Sequence, residues 1–228
     1  MATFRADDGA AAGTRTNTTI TKPTGTAEGD TLILSLSIED DVTPTPPTGF
    51  AQLINIDHSG QPADLWIWWK RAGGAEPASY TTTHSSSWAE GHLVAVQDAS
   101  ASVDPVAGTG NQGTGTTRTA LSVTPIGDNA YIGFRGHSYQ DHGASVAVPT
   151  GTTPTFSPEE WDNTNNLYAA SGTLATAGAT GNKSQTVASI DWTAVMIVVE
   201  DVLTTGGGAD NPKGPLGNPL YGPLGGPV

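Results

Sequence analysis

Cysteine is absent from this chain of 228 residues. Disulfide bonds, zinc sites with thiolate ligands and cysteine nucleophiles are therefore excluded. The folded chain is therefore stabilised without covalent cross-links between cysteines.

Basic side chains are scarce as well. Nine Lys and Arg residues stand against 22 Asp and Glu residues, which gives a formal net charge of −13. Nucleic-acid binding needs a basic surface that displaces counterions from phosphates, and anionic membranes attract basic segments. The charge therefore predicts neither a nucleic-acid partner nor a membrane partner.

Long apolar runs are also missing. No stretch approaches the roughly 20 residues that a helix needs to cross a bilayer. The N-terminal sequence Met1–Asp8 has neither the basic region nor the apolar region of a signal peptide. We expect synthesis in the cytoplasm without export by an N-terminal signal.

What the chain does contain is a series of short apolar runs with a period of two, separated by Gly, Pro, Asp and Asn. The predicted strands are 31–38, 50–56, 64–70, 91–97, 130–135, 166–170 and 192–199. Residues 5–27 alternate weakly and predict an edge strand, whereas the continuous apolar run at 192–199 predicts a central one. The pattern is typical of an all-β fold, an antiparallel, jelly-roll-like β-sandwich.

The C-terminal segment differs in kind from the rest. No linker interrupts residues 1–203, which predict one β-sandwich domain, whereas residues 204–228 are rich in Gly and Pro. Gly-Pro-Leu-Gly occurs twice there, at 214–217 and 222–225, and this composition disfavours helices and central strands. We expect an extended tail that docks on a partner. Its predicted contact residues are Pro215, Leu216, Pro219, Leu220, Tyr221, Pro223 and Leu224.

Catalytic motifs are not evident. The chain has no Gly-x-Ser-x-Gly, no His-Glu-x-x-His and no Walker sequence. The histidines are His58, His84, His92, His137 and His142. The spacing of His137 and His142 does not bring both imidazoles to one face of a strand or helix, and we interpret the five histidines as turn or surface residues. We assign no catalytic residue and predict that the protein is not an enzyme.

Two groups of carboxylates lie in predicted loops. Glu39, Asp40 and Asp41 offer oxygen ligands for calcium, the one cofactor that the sequence suggests. Glu159, Glu160 and Asp162 surround Trp161. A glycan-degrading enzyme would need two carboxylates that face each other across a cleft, one as acid and one as base. That alternative requires members of these groups to converge in space.

The tryptophans allow two interpretations. Trp66 and Trp68 share one face of a predicted strand and Trp69 lies on the other, which favours a core. Exposed aromatic rings stack on sugars, and the candidates for glycan binding are Trp88, Tyr139 and Trp161.

Several short segments resemble a recurring domain. They are Pro23–Leu34, Pro47–Phe50, Trp69–Ala72, Pro77–Tyr80 and Val103–Val106. Together they are similar to a β-sandwich domain of structural proteins in tailed bacteriophages and of some bacterial surface proteins, over roughly residues 20–200. The Pro/Gly/Leu-rich tail is similar to the ends of minor tail proteins in phages of actinobacteria. The resemblance implies a non-enzymatic virion component and supplies no catalytic residues.

Three functional hypotheses follow. The first is a minor tail protein, made in the host cytoplasm, displayed on the virion surface and anchored by its C-terminal tail. The second is a capsid decoration (cement) protein that stabilises the head. The third is a carbohydrate-binding or host-receptor-binding module. The expected partners are other virion proteins, further copies of the chain, because virion lattices are symmetric, and a host cell-surface glycan.

Overall fold

Strands account for all of the regular secondary structure that the structure describes. The computed structural model describes residues 1–58, 63–139, 148–150, 154–159 and 167–202. The strands are β1 (Thr3–Thr21), β2 (Thr31–Ile38), β3 (Ala51–Ile56), β4 (Asp64–Arg71), β5 (Ser79–Gln97), β6 (Val106–Ala107), β7 (Asn111–Ala120), β8 (Ala130–Ser138), β9 (Ser157–Pro158), β10 (Leu167–Leu174) and β11 (Lys183–Val199). No helix in this part of the chain is long and apolar enough to cross a membrane.

The strands form two antiparallel sheets. The first has the order β1-β5-β2-β4-β3, and the second has the order β6-β11-β8-β10-β9 with β7 also paired to β11. The predicted all-β antiparallel sandwich is confirmed. The chain completes the first sheet before it begins the second. The edge position of β1 and the central position of β11 also agree with the sequence-based expectation.

The two sheets share one topology. In each, the first long strand pairs with the fifth, followed by the second, fourth and third, if β6 and β7 together are counted as the counterpart of β1. Residues 3–97 and residues 106–199 thus form two copies of one structural unit, an internal repeat. Strands β2 and β8 begin at the same end of the sandwich, because Ala2, which precedes β1, donates its N–H to the backbone oxygen of Asn129, and the start of β1 lies beside the end of β5 next to Thr31.

Short sequence matches accompany the repeat. Gly29-Asp30 precedes β2 and Gly127-Asp128 precedes β8. Pro-Thr-Gly precedes the third strand of each half, at 47–49 and 149–151. Gly29 has a φ of 89° and Asn129 a φ of 59°, so both turns use the left-handed region, which Gly and Asn tolerate best.

Three apolar clusters hold the fold together. The first fills the space between the sheets and includes Ile33, Ile67, Tyr131 and Val195. The other two lie on the outer faces, where each sheet curls over itself. The outer cluster of the first sheet includes Leu34, Trp68 and Tyr80, and that of the second includes Phe134, Phe156, Tyr168 and Trp192.

The curl explains why the central strands are buried on both faces. All eight residues of β2 are buried. The part of the β1–β5 pair formed by residues 13–21 and 79–89 covers the face of β2 that points away from the second sheet. Ile20 on β1 and Tyr80 on β5 belong to that cover. A sandwich with one solvated face per sheet would instead require polar side chains at alternate positions.

The sandwich has two distinct ends, set by the direction of its strands. At one end lie Met1, Thr31, Arg71, Val199 and Val202, which we call the exit end because the chain leaves the sandwich there. At the other, the far end, lie Ile38, Asp64, Ala89, Ser138 and Leu167. Eight residues of β2 separate the two ends by roughly 25 Å.

Candidate functional site

A buried polar cluster joins the two sheets. It consists of Asp7 on β1, His92 on β5, Tyr131 and Arg135 on β8, and Glu159 directly after β9. The period of two places Tyr131 and Arg135 on the face of β8 that points toward the first sheet, while Ile132 and Phe134 point outward. We call these five residues the inter-sheet cluster.

Glu159 is at the centre of this cluster. Its Oε1 accepts hydrogen bonds from the Tyr131 hydroxyl at 2.6 Å and from Arg135 Nη1 at 3.3 Å. Its Oε2 lies 3.1 Å from Arg135 Nη2 and 3.2 Å from His92 Nε2. His92 Nε2 also lies 2.9 Å from Asp7 Oδ2. One imidazole of the first sheet thus bridges a carboxylate from each sheet.

The electrostatics of the inter-sheet cluster follow from its burial. Burial lowers the pKa of Arg135, but Glu159, Tyr131 and Asp7 together more than offset that effect, and the net pKa of Arg135 is raised. Burial also raises the pKa of Tyr131, and the neighbouring Glu159 carboxylate adds to the rise. Arg135 therefore stays a cation and Tyr131 stays a neutral hydrogen-bond donor.

The cluster is better suited to holding the sheets together than to reacting with a substrate. Ligand atoms of Asp7, His92 and Glu159 lie within 4.8 Å of one another, a geometry that a divalent cation could use. The guanidinium of Arg135 already lies against Glu159, and its charge would repel a metal ion there. Glu159 is 3% exposed, so it does not face a cleft open to solvent.

The histidines are partly different from the sequence-based interpretation. His92 and His137 are fully buried inside strands, so their interpretation as turn or surface residues is wrong. His137 Nδ1 lies 2.9 Å from the backbone oxygen of Asp64, a second polar contact between the sheets. His58 and His84 are half-buried, and His142 lies outside the described residues.

A buried guanidinium lies inside the curl of the second sheet and was also missed. Arg118 on β7 donates through Nε to Gln185 Oε1 at 3.0 Å and through Nη1 to Ser138 Oγ at 3.0 Å. Burial lowers its pKa to about 9. It packs over Gly136, where the Cβ of any other residue would collide with the guanidinium. No local sequence signal marks this contact, because residues 118 and 136 are joined only by the curl.

Three carboxylates converge at the far end. Ligand oxygens of Asp41, Asp57 and Asp64 lie within 4.8 Å of one another. Of the calcium candidates, only Asp41 belongs to this group. Asp40 Oδ2 instead accepts a hydrogen bond from Ser87 Oγ at 3.2 Å, and the backbone oxygen of Glu39 accepts another from the same hydroxyl. Calcium binding by Glu39, Asp40 and Asp41 stays a prediction.

Asp64 gives this end a testable pH dependence. Burial, opposed by the hydrogen bond that Asp64 accepts from the His58 backbone N–H at 3.1 Å and aided by the charges of Asp57 and Asp41, raises the pKa of Asp64 to about 7. Its contribution to stability is complete below about pH 4 and is lost as pH rises through about 7, because only the unfolded state ionises in that window.

We expect Asp64→Asn to remove most of this dependence. From pH 5 to pH 8 the free energy of unfolding should fall by about 1–2 kcal/mol less in the variant than in the parent chain. This figure allows for screening by solvent. Urea denaturation at the two pH values measures the difference. Asp98→Asn, which removes an exposed carboxylate, is the matched control. Equal pH dependence in all three proteins would contradict the assignment to Asp64.

The aromatic candidates are divided between core and surface. Trp68 is 1% exposed, and Trp66 stacks on it with ring centroids 6.0 Å apart. Trp69 packs on the opposite face, against the inter-sheet core, as predicted. Trp88 and Tyr139 are half-buried near the far end, whereas Trp161 lies outside the described residues. Carbohydrate binding by these three residues stays a prediction.

The carboxylates that a glycan-degrading enzyme would need lie in different parts of the structure. Glu159 is buried with Arg135 in the inter-sheet cluster. Glu39 and Asp40 follow β2 at the far end, beside Ser87. Glu160 and Asp162 lie outside the described residues. The structure therefore gives no facing pair among the carboxylates of this set that it describes.

The exit end carries an apolar groove of about 370 Å³. Its lining includes Val103, Val106, Val123, Ile126, Val198 and Glu200, and we call it the exit-end groove. Glu200 closes one side of the groove, because its carboxylate accepts the backbone N–H groups of Ile126 at 2.8 Å and Gly127 at 3.2 Å. The sequence did not indicate it, since its walls come from three separate segments, 103–109, 122–126 and 198–200.

The predicted partner-binding residues of the tail all lie outside the described residues. They are Pro215, Leu216, Pro219, Leu220, Tyr221, Pro223 and Leu224. The structure does describe where the tail begins. β11 ends at Val199, and the last described residue, Val202, donates its N–H to the backbone oxygen of Asp98. The tail therefore starts at the exit end, beside Glu200.

Similarity to known proteins does not extend this picture. Protein-family models, curated proteins and solved structures give no match to this chain.

Proposed function

We propose that the chain is a non-enzymatic structural protein of a virion, a minor tail protein anchored by its C-terminal segment. The observation that carries the proposal is the polarity of the sandwich. The chain leaves the sandwich at the exit end, which also carries the apolar groove. Trp88, Tyr139 and the three carboxylates of Asp41, Asp57 and Asp64 lie toward the far end. An anchored copy would thus present the far end to the surroundings.

The physical character of the sandwich supports the same proposal. Its core continues through both sheets, and a buried ionic cluster joins them without any disulfide. A particle protein must keep its fold outside the cell, and a sandwich of this kind needs no redox chemistry to do so. A capsid decoration protein would use the same features on a different lattice.

Deleting residues 206–228 tests the anchor. We expect the truncated chain to enter assembled particles at least tenfold less than the full chain, because the Leu and Tyr contacts would be lost. Quantitative mass spectrometry of purified particles measures the incorporation. A chain with Leu216, Leu220 and Leu224 replaced by Ser keeps the length and should be lost to a similar degree.

The contrary outcomes are distinct. Full incorporation of the truncated chain would remove the anchoring role of the tail while leaving the chain a virion protein. Absence of the full chain from purified particles would overturn the virion proposal itself. Electron microscopy of particles labelled on the far end of the sandwich distinguishes a position on the phage tail from a position on the capsid.

A further inference from the structure

Exposed apolar side chains are concentrated at the exit end. Among the described residues, the large hydrophobic side chains that are exposed are Met1 at 57%, Val106 at 56%, Ile126 at 72% and Val202 at 49%. Met1 contacts Asp201 through its amino group at 2.7 Å, Val106 pairs with Val198, and Ile126 donates to Glu200. All four therefore belong to one end, and a one-sided apolar patch marks a surface that something covers.

The groove at this end accepts side chains rather than a whole segment. Pockets that bind small ligands measure about 300–1,000 Å³, and the exit-end groove, at about 370 Å³, is at the lower limit of that range. Its walls include four valines and one isoleucine beside the small or uncharged residues Ala107, Gly108, Thr109, Ser122 and Thr124. The carboxylate of Glu200 already accepts two backbone N–H groups. The complementary occupant is a short, nearly uncharged chain segment with spaced apolar side chains.

The chain itself contains such a segment, 214–224, which begins fourteen residues beyond Glu200. Residues 203–228 carry only Asp210 and Lys213 as charged side chains, and Leu216, Leu220 and Leu224 recur every four residues. We propose that, in the free protein, residues 214–224 of the same chain cover the exit-end groove. The inference goes beyond the proposed function, because it concerns the isolated chain and holds whether or not that chain joins a virion.

The length of the connection favours the same chain over a second copy. The eleven residues 203–213 would have a root-mean-square span of about 18 Å as a flexible coil and at most about 40 Å when extended. The groove begins beside the starting point of this connection, so the segment reaches it without strain. A short flexible connection also gives an effective concentration in the millimolar range, well above that of a second copy in dilute solution.

The absence of cysteine makes a cross-linking test clean. In Val106→Cys/Leu220→Cys, exchange with oxidised glutathione should form an intramolecular disulfide at least tenfold faster than in Ser86→Cys/Leu220→Cys. Ser86 is exposed on the distant part of β5, so the second pair reports random collision of the tail. Val106 is itself exposed, so its replacement should not disturb the fold. Non-reducing gels at two protein concentrations separate monomeric from dimeric products.

Each result decides. A disulfide-linked monomer whose rate is independent of protein concentration supports the proposal. Disulfide-linked dimers that increase with concentration would overturn it in favour of a second copy. Equal rates for the two cysteine pairs would show that the groove does not hold the tail.

A peptide measurement checks the same point without cysteines. A fluorescent peptide of residues 212–226 should bind the chain truncated after residue 205 at least tenfold more tightly than the full chain, in which the groove is already covered. Ile126→Asp in the truncated chain should weaken that binding tenfold or more, since it places a charge beside the apolar walls. Equal affinity for full and truncated chains would contradict the proposal. Circular dichroism confirms that each variant is folded.

Discussion

Replacing Arg135 with alanine is expected to lower the free energy of unfolding by about 3–5 kcal/mol, because it leaves a buried carboxylate without its cation. Arg135 Nη2 lies 3.1 Å from Glu159 Oε2, and Arg135 Nη1 lies 3.3 Å from Glu159 Oε1. Both side chains are fully buried. Equilibrium denaturation in urea at pH 7 measures the loss.

A second variant separates the charge effect from lost packing. In Arg135→Met/Glu159→Leu both charges are removed and most of the volume is kept. Apolar replacement of a whole buried ion pair is often neutral or stabilising, so this double variant should be more stable than Arg135→Ala. If the double variant is as unstable as the single one, the cost comes from packing around β8 and not from an uncompensated carboxylate.

Trp68→Ala is expected to cost about 3–5 kcal/mol as well, through a cavity inside the curl of the first sheet. Trp68 is 1% exposed and packs among Leu34, Phe50 and Tyr80. Trp68 lies on β4, and β4 and its neighbour β2 are paired on both sides, which limits their collapse into the space and makes the cavity costly. Thermal and chemical denaturation of the variant provide the measurement.

Trp66→Ala is the matched control, because it removes the same side chain two positions earlier on the same face of β4. Trp66 is only half-buried and stacks on Trp68 with an interplanar angle of 16°. We expect it to cost about half as much. A Trp66 loss equal to or larger than the Trp68 loss would show that the exposed part of the curl is the stabilising element.

The sequence predicts those parts of the fold that local patterns determine. The alternation at 31–38 and the apolar run at 192–199 identify β2 and β11, since the period of two and the burial of a central strand are local properties. The lengths of β5 and β11 were underestimated. Their distant halves, such as Ser79–Trp88, are polar and become strands only because β1 and β7 pair with them.

The inter-sheet cluster illustrates what a local pattern cannot reveal. Asp7, His92, Arg135 and Glu159 are residue types that usually lie at surfaces, and 152 positions separate the first from the last. They meet only because the internal repeat stacks β5 against β8. The repeat could have been found from Gly-Asp and Pro-Thr-Gly, each present at the corresponding places of both halves, although such short matches carry little weight alone.

The direct continuation of β11 into the C-terminal segment has a mechanical consequence. β11 pairs with β8 over eight residues, from Trp192 to Val199, and ladder hydrogen bonds are perpendicular to the strands. A force that pulls the far end away from an anchored tail would act along β11, so it would load these bonds together in shear instead of opening them one after another. Such a sandwich is suited to resisting tension along its long axis, the direction in which an anchored surface protein is pulled.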